Sequence, residues 1–281
     1  MSSHFKDKTV IITGGSQGVG AATARKFAAA GANLMLVARR RKQLEQIATE
    51  LRDTTKVEIV PMDVSDAESC VNLFKKAEFE FGAVHVLINN AGFHERGPVE
   101  SVGADDLGRM IDVNLRAPVI LSRLALPYLR QVDQAAIINV ASLAGRLPTP
   151  GSAVYSATKF GLRAFTFALA EELRGSHIKV AAVSPGPIDT GFIMADIDNV
   201  SDLTFSQPIS TADEVADAII ALCLNKRREI AMPPQSGLLT TVAYLFPALS
   251  RRLRPALEAK GRKVKRQLRA RMQPGNGSAG R

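Results

Sequence analysis

Residues 9–20 read Thr9-Val10-Ile11-Ile12-Thr13-Gly14-Gly15-Ser16-Gln17-Gly18-Val19-Gly20. Five consecutive β-branched residues suit a strand buried on both faces, and the glycine-dense turn after them leads into a stretch of helical length. Backbone N–H groups converge at such a helix N-terminus, which is an ordinary way to hold a pyrophosphate. In this reading Gly14 permits the tight turn, Gly18 lets phosphates approach the main chain and Gly20 lets helix pack on strand, with Ser16, Gln17 and Val19 completing the loop. A glycine turn alone can simply reverse the chain; its place directly after the first strand gives it a functional meaning.

Outward from this point, short β-branched runs alternate with amphipathic stretches. Strands are expected at 9–13, 33–38, 57–62, 84–89, 136–142, 178–184 and 229–232, and helices at 19–30, 41–52, 66–81, 105–131, 153–174 and 211–224. This alternation predicts an α/β fold, a doubly wound parallel sheet of about seven strands in a single domain. Ligands in such sheets bind outside the carboxyl ends of strands. A strand-two acid would accept a ribose 2′-OH, but here the strand ends Ala38-Arg39-Arg40. Planar guanidinium donors match a 2′-phosphate, so NADP(H) is preferred over NAD. Asp63-Val64 and Asn90-Ala91-Gly92 follow strands three and four at the same edge.

Tyr155 and Lys159 stand four apart in one helix and share a face. A phenol titrates near 10, and a neighbouring cation is expected to lower that value toward the range useful for proton transfer. Ser142 lies thirteen residues before Tyr155, at the end of strand five.

The Thr-Gly-x-x-x-Gly-x-Gly loop, Asn-Asn-Ala-Gly and the Ser142/Tyr155/Lys159 set, in this order over residues 7–232, resemble the short-chain dehydrogenase/reductase family. The resemblance implies a Rossmann-type fold and hydride transfer between a nicotinamide and a carbonyl or alcohol. Ser142 would then bind the substrate oxygen, Tyr155 act as general acid/base, and Lys159 also bind the nicotinamide ribose. Asn114 matches the family's Asn in a water-mediated relay. Asp63 and Val64 match its adenine contacts, and Pro185, Gly186, Ile188 and Thr190 its nicotinamide-carboxamide segment. Gln17 departs from the base that many NADP-preferring relatives carry. A homo-oligomer, dimer or tetramer, is also implied. The competing class is a non-catalytic NADP(H)-binding regulator or scaffold, which would need the glycine loop but not the proton-transfer set.

The 281 residues are 46% hydrophobic and carry a net charge of +9. Arg251–Arg281 hold eleven Lys/Arg against one acid, so the preceding 250 residues carry 25 bases against 26 acids. A generally basic nucleic-acid surface is therefore excluded, and nucleic acid is disfavoured for the tail, which lacks aromatic rings. Two distant cysteines, Cys70 and Cys223, and a polar start without a leader pattern fit the cytoplasm. His4, His85, His94 and His177 show no metal-ligand spacing. Phe192, Ile193, Met194, Leu203 and Phe205 fit either a substrate lid or simple packing.

Residues 1–235 are expected to form the Rossmann-type domain, 236–272 an apolar then basic extension, and 273–281 a disordered tail. The apolar run at 238–249 is broken by Thr240, Thr241 and Pro247 and is too short to span a bilayer. Leu249, Leu253, Leu257, Val264 and Leu268 form a stripe between basic residues, with an interruption expected at Gly261. Peripheral membrane contact, docking on the body and contact with a second subunit all fit this pattern.

Overall fold

The computed structural model describes residues 4–194 and 196–272, so the expectation for 273–281 lies outside the described residues. The seven strands are β1 (Thr9–Thr13), β2 (Asn33–Ala38), β3 (Val57–Pro61), β4 (Val86–Asn89), β5 (Ala135–Val140), β6 (Ile178–Pro185) and β7 (Glu229–Met232). They pair in parallel in the order β3-β2-β1-β4-β5-β6-β7. The chain reverses its winding between β1 and β4, which opens a crevice at their carboxyl ends.

Helices cover both faces: α1 (Gly18–Ala29), α2 (Arg41–Leu51), α3 (Ala67–Phe81), α4 (Ala104–Ile111), α5 (Ala117–Leu129), α6 (Ala153–Glu172), α7 (Gly191–Met194), α8 (Ala212–Leu224), α9 (Pro234–Leu245) and α10 (Pro247–Met272). Strand side chains alternate between faces. Val10, Ile12 and Leu34 pack with Phe27, Leu44 and Ile219 on one side, and Ile11, Met35 and Leu87 pack with Phe74 and Leu121 on the other. Asp66 caps α3 by accepting from the Glu68 and Ser69 N–H groups, and Thr211 with Glu214 forms a capping box on α8; both satisfy first-turn donors that water otherwise must serve.

Two expectations need correction. The single helix expected over 105–131 is α4 and α5 joined by a π-helical turn at Asp112–Arg116. Pro118 has no N–H to donate to the Asn114 carbonyl, so the regular ladder opens there. Gly261 does not interrupt the tail stripe, because α10 runs through it without a break. A Cβ at Gly261 would lie 1.7 Å from the Asp202 carbonyl oxygen, so this glycine is where the helix crosses closest over the body. Beyond the crossing, Val264 and Leu268 pack on Ile193, Ile197, Val200 and Phe205, and the Lys265 Nζ donates to the Asp198 and Val200 carbonyls at 2.9 and 2.7 Å. The second half of α10 is thus docked on the body.

Candidate active site

The β1–β4 crevice widens into one cleft of about 1420 Å³. Its dinucleotide end is built from strand termini tied to each other. The Thr13 hydroxyl accepts from the Asn90 and Ala91 N–H groups at 3.0 Å each, and Asn90 Nδ2 donates back to the Thr13 and Gly14 carbonyls at 2.9 and 3.3 Å. Gly14 has φ +66°, a left-handed conformation that disfavours any side chain. A Cβ on Gly20 would lie 2.0 Å from the Gly14 carbonyl oxygen, so loop and helix close on each other only with glycine there.

α1 begins without a side-chain cap and without an acid in its first turn. Its orphan N–H groups and positive dipole end therefore face the cleft, a fit for an anion such as a pyrophosphate. Ser16, Gln17, Gly18, Val19, Asp63, Val64, Ala91 and Gly92 line the same end, as do Arg39 and Arg40. Among the described residues neither arginine has an acidic partner within ion-pair reach. The Asp63 carboxylate instead accepts from the Ser65 N–H and hydroxyl, holding the turn after β3. Thr190, beside Gly18, closes this end from the segment after β6, and Pro185, Gly186 and Ile188 continue that wall.

Further along the cleft, α6 presents Tyr155 and Lys159 toward Ser142, which stands two residues past the end of β5. The Ser142 hydroxyl accepts from the Ala144 N–H at 3.1 Å. The lysine lies 5.8 Å from the Tyr155 ring centroid, but its Nζ donates to the Val140 carbonyl at 2.8 Å. Desolvation brings the ammonium down to about 8. The tyrosine departs from expectation: burial raises its pKa above the ordinary phenol value, with the Ser142 hydroxyl and the Arg96 charge pulling the other way. In this protein the loss of hydration outweighs the neighbouring charges, so the phenol rests protonated.

Asn114 is fully buried beneath the cleft and does not line it. Its amide clips the loop after β4 from both ends, Oδ1 accepting from the Phe93 N–H at 3.0 Å and Nδ2 donating to the Phe93 carbonyl at 2.8 Å. Gly20 is the other expected site residue that stays off the cleft surface, as its packing role requires.

The structure adds to the site Arg96, which the sequence does not single out, and His94, which the sequence considers only as a metal ligand. The His94 ring stacks on Tyr155, centroids 4.1 Å apart, and burial drives its pKa down to about 3, so it is neutral. Its Nε2 is buried with no hydrogen-bond partner among the described residues. Arg96 latches this loop to the segment after β6, pairing with Asp196 at 2.8 Å and donating to the Phe192 carbonyl at 3.0 Å. The only sequence signal for either residue is proximity to Gly92. Of the five lid candidates, Phe192, Ile193 and Leu203 line the cleft, whereas Met194 and Phe205 pack beneath it.

The tail forms the remaining wall. Leu239, Val242 and Tyr244 of α9 and Leu249, Leu253 and Leu257 of α10 roof the far end of the cleft. α9 is held down by Arg146, which donates to the Thr241 hydroxyl at 2.7 Å and pairs with Glu229; that carboxylate also accepts from Arg163 and Ser184.

Comparison with known proteins agrees with this geometry. The family model for short chain dehydrogenase matches residues 8–200. An uncharacterized oxidoreductase of Staphylococcus saprophyticus is 38% identical over 209 residues, covering 74% of this chain and 83% of that protein. Another from Staphylococcus epidermidis is 35% identical over 188 residues, 67% of this chain and 81% of its own. A third, from Staphylococcus aureus, is 32% identical over 213 residues, with 76% and 91% covered. With a dinucleotide crevice, a Ser/Tyr/Lys cluster on its floor and a family match over most of the sheet, the chain belongs to the short-chain dehydrogenase family, oxidoreductases that use a nicotinamide cofactor.

Proposed function

We propose that this protein is an NADP(H)-dependent oxidoreductase that interconverts a carbonyl and a secondary alcohol on an apolar, lipid-like substrate. The observation that carries the reading is the convergence of Ser142, Tyr155 and Lys159 midway along a single cleft, between a phosphate-holding end with two arginines and an end walled by leucines. Arg39 and Arg40 would hold the 2′-phosphate, and the glycine loop the pyrophosphate. When bound, the nicotinamide supplies or takes up the hydride.

The chain's own groups handle the proton. In the reducing direction the Ser142 hydroxyl orients the carbonyl oxygen and the Tyr155 hydroxyl delivers its proton to that oxygen. Raised by burial, the phenol holds this proton until charge develops on the substrate. The phenolate left behind is balanced by the Lys159 ammonium and recovers a proton from water. Asn114 positions the loop after β4 by clipping Phe93. The oxidising direction runs the same transfers in reverse. Assembly into dimers or tetramers and a cytoplasmic location belong to the same reading.

The test is a panel of carbonyls and alcohols with NADPH or NADP+, followed by nicotinamide absorbance, on wild type and Tyr155→Phe. Turnover should fall by about 10²–10⁴-fold, the usual worth of a positioned general acid, while NADPH binding read by fluorescence is retained. Near-wild-type turnover in the variant removes Tyr155 from the chemistry; no turnover on any substrate favours a cofactor-binding regulator.

A further inference from the structure

α9 and its bend into α10 expose large apolar side chains: Leu238 in the first half of α9 is 68% exposed, and Leu245 and Phe246 at the bend are 64% and 59% exposed. These three do not line the cleft. Their chain neighbours Leu239, Val242 and Leu249 do, so apolar surface leads from the outside of the molecule over the rim and into the cavity. Contiguous exposed apolar surface of this kind marks an interaction site. Beside it, α10 exposes Arg251 and Arg252, then Lys260, Lys263 and Arg266, which take part in no ion pair among the described residues.

We propose that the α9–α10 bend seats the protein on an anionic lipid surface, with the mouth of the cleft turned toward the acyl chains. Apolar side chains at the tip match the bilayer interface, and the bases behind them match its headgroups. A second copy fits this face less well. A two-fold contact sets identical patches against one another, so the bases would oppose the bases, and residues 1–250, with 25 bases and 26 acids, offer no acidic excess to answer them. A nucleic acid would leave the apolar tip without a role, since 251–272 contain no aromatic ring for stacking. In combination with the proposed carbonyl chemistry, on which this last step rests, the arrangement lets a lipid-like ketone pass from membrane to cleft without crossing water.

The experiment is sedimentation of the full chain with vesicles of phosphatidylcholine alone or with one third phosphatidylglycerol. Binding to the anionic vesicles at low salt is expected, falling at least about tenfold as salt screens the charges. The double variant Leu245→Asp/Phe246→Asp should lose binding at least about tenfold, as should Arg252→Glu/Lys260→Glu, whose side chains lie off the cleft, with thermal midpoints and turnover of a short soluble carbonyl unchanged. Failure of the wild type to pellet with anionic vesicles overturns the proposal, as does unchanged pelleting of the Asp variant. If the Asp variant instead falls from a larger assembly to a monomer on gel filtration, the face joins copies of this chain and the proposal fails. Vesicle binding with no carbonyl turned over leaves the lipid seat standing and overturns the catalytic reading.

Discussion

Gly261→Ala sets two physical effects against each other. On a solvated helix the change stabilises by about 0.5–1 kcal/mol, because alanine loses less backbone entropy on folding. At this position the new Cβ would lie 1.7 Å from the Asp202 carbonyl oxygen, 2.7 Å from the carbonyl carbon and 3.0 Å from the Ser206 nitrogen. All three are backbone atoms, so no side-chain rotation relieves them. Non-bonded heavy atoms settle at roughly 3.5 Å, which requires α10 to retreat by between one and two ångström. That retreat stretches the Lys265 bonds to the Asp198 and Val200 carbonyls and draws Val264 and Leu268 out of their pocket beside Phe205. Overpacking costs about 1–3 kcal/mol and a hydrogen bond from a charged donor about 1.5–3 kcal/mol. Steric conflict therefore wins, with a net destabilisation on the order of 2–4 kcal/mol or release of the α10 second half. Urea denaturation followed by circular dichroism, with limited trypsin digestion, reads both outcomes. The expected result is a lower midpoint and earliest cleavage within α10. A higher midpoint with unchanged digestion would refute the close crossing.

Two further outcomes follow from the cofactor end and from the buried lysine. Replacing Arg39 and Arg40 together by Gln should weaken NADPH binding about 10²–10⁴-fold more than NADH binding, since each of the two lost phosphate bonds is worth roughly 1.5–3 kcal/mol; equal losses in fluorescence titrations would assign the arginines to another task. For Lys159 the folded value, about 8, lies below the ordinary 10.5, so the folded state releases this proton first as pH rises. Between those values the unfolded chain binds more protons, and stability relative to Lys159→Met should rise with pH by up to ~3 kcal/mol. Denaturation of the cofactor-free proteins at pH 7 and pH 10 measures it, and a flat difference contradicts the desolvation.

Where local chemistry dictated structure, the sequence was legible. Thr9–Thr13 and Ala135–Val140 are strands because only a sheet buried on both faces takes such runs. The residues expected at the dinucleotide end meet along one crevice because parallel strands send all their carboxyl ends the same way. What the sequence hid were effects of long-range packing. Leu249, Leu253 and Leu257 share a stripe with Val264 and Leu268, yet the first three wall the cleft and the last two anchor the helix. The pattern of a lone helix cannot tell a wall from an anchor. Gly261 looked like a break because a glycine's intrinsic preference is visible in sequence, whereas the Asp202 carbonyl that demands it is 59 residues away. Tyr155 was expected to be acidified by its neighbour four residues on, but desolvation, which depends on everything folded over it, dominates. His94 is visible in the sequence only as a histidine without metal-ligand spacing, because stacking partners 61 residues apart leave no local trace.

The roof of the cleft has a consequence for how such an enzyme diversifies. Ser142, Tyr155 and Lys159 lie within residues 8–200, which match the family, while α9 and α10 lie beyond them. The Ser/Tyr/Lys cluster and the roof over the far end of the cleft are therefore written in separable stretches of one chain. A graft that exchanges everything after Met232 for another apolar or polar cap would leave Ser142, Tyr155 and Lys159 untouched. Thr241 in the graft must still meet Arg146, and a small residue must still stand at position 261. With the Val264, Leu268 and Lys265 anchors kept as well, the side chains that α9 and the first half of α10 turn toward the cleft could be exchanged as a block, and under the proposed function such an exchange would alter which substrate fits.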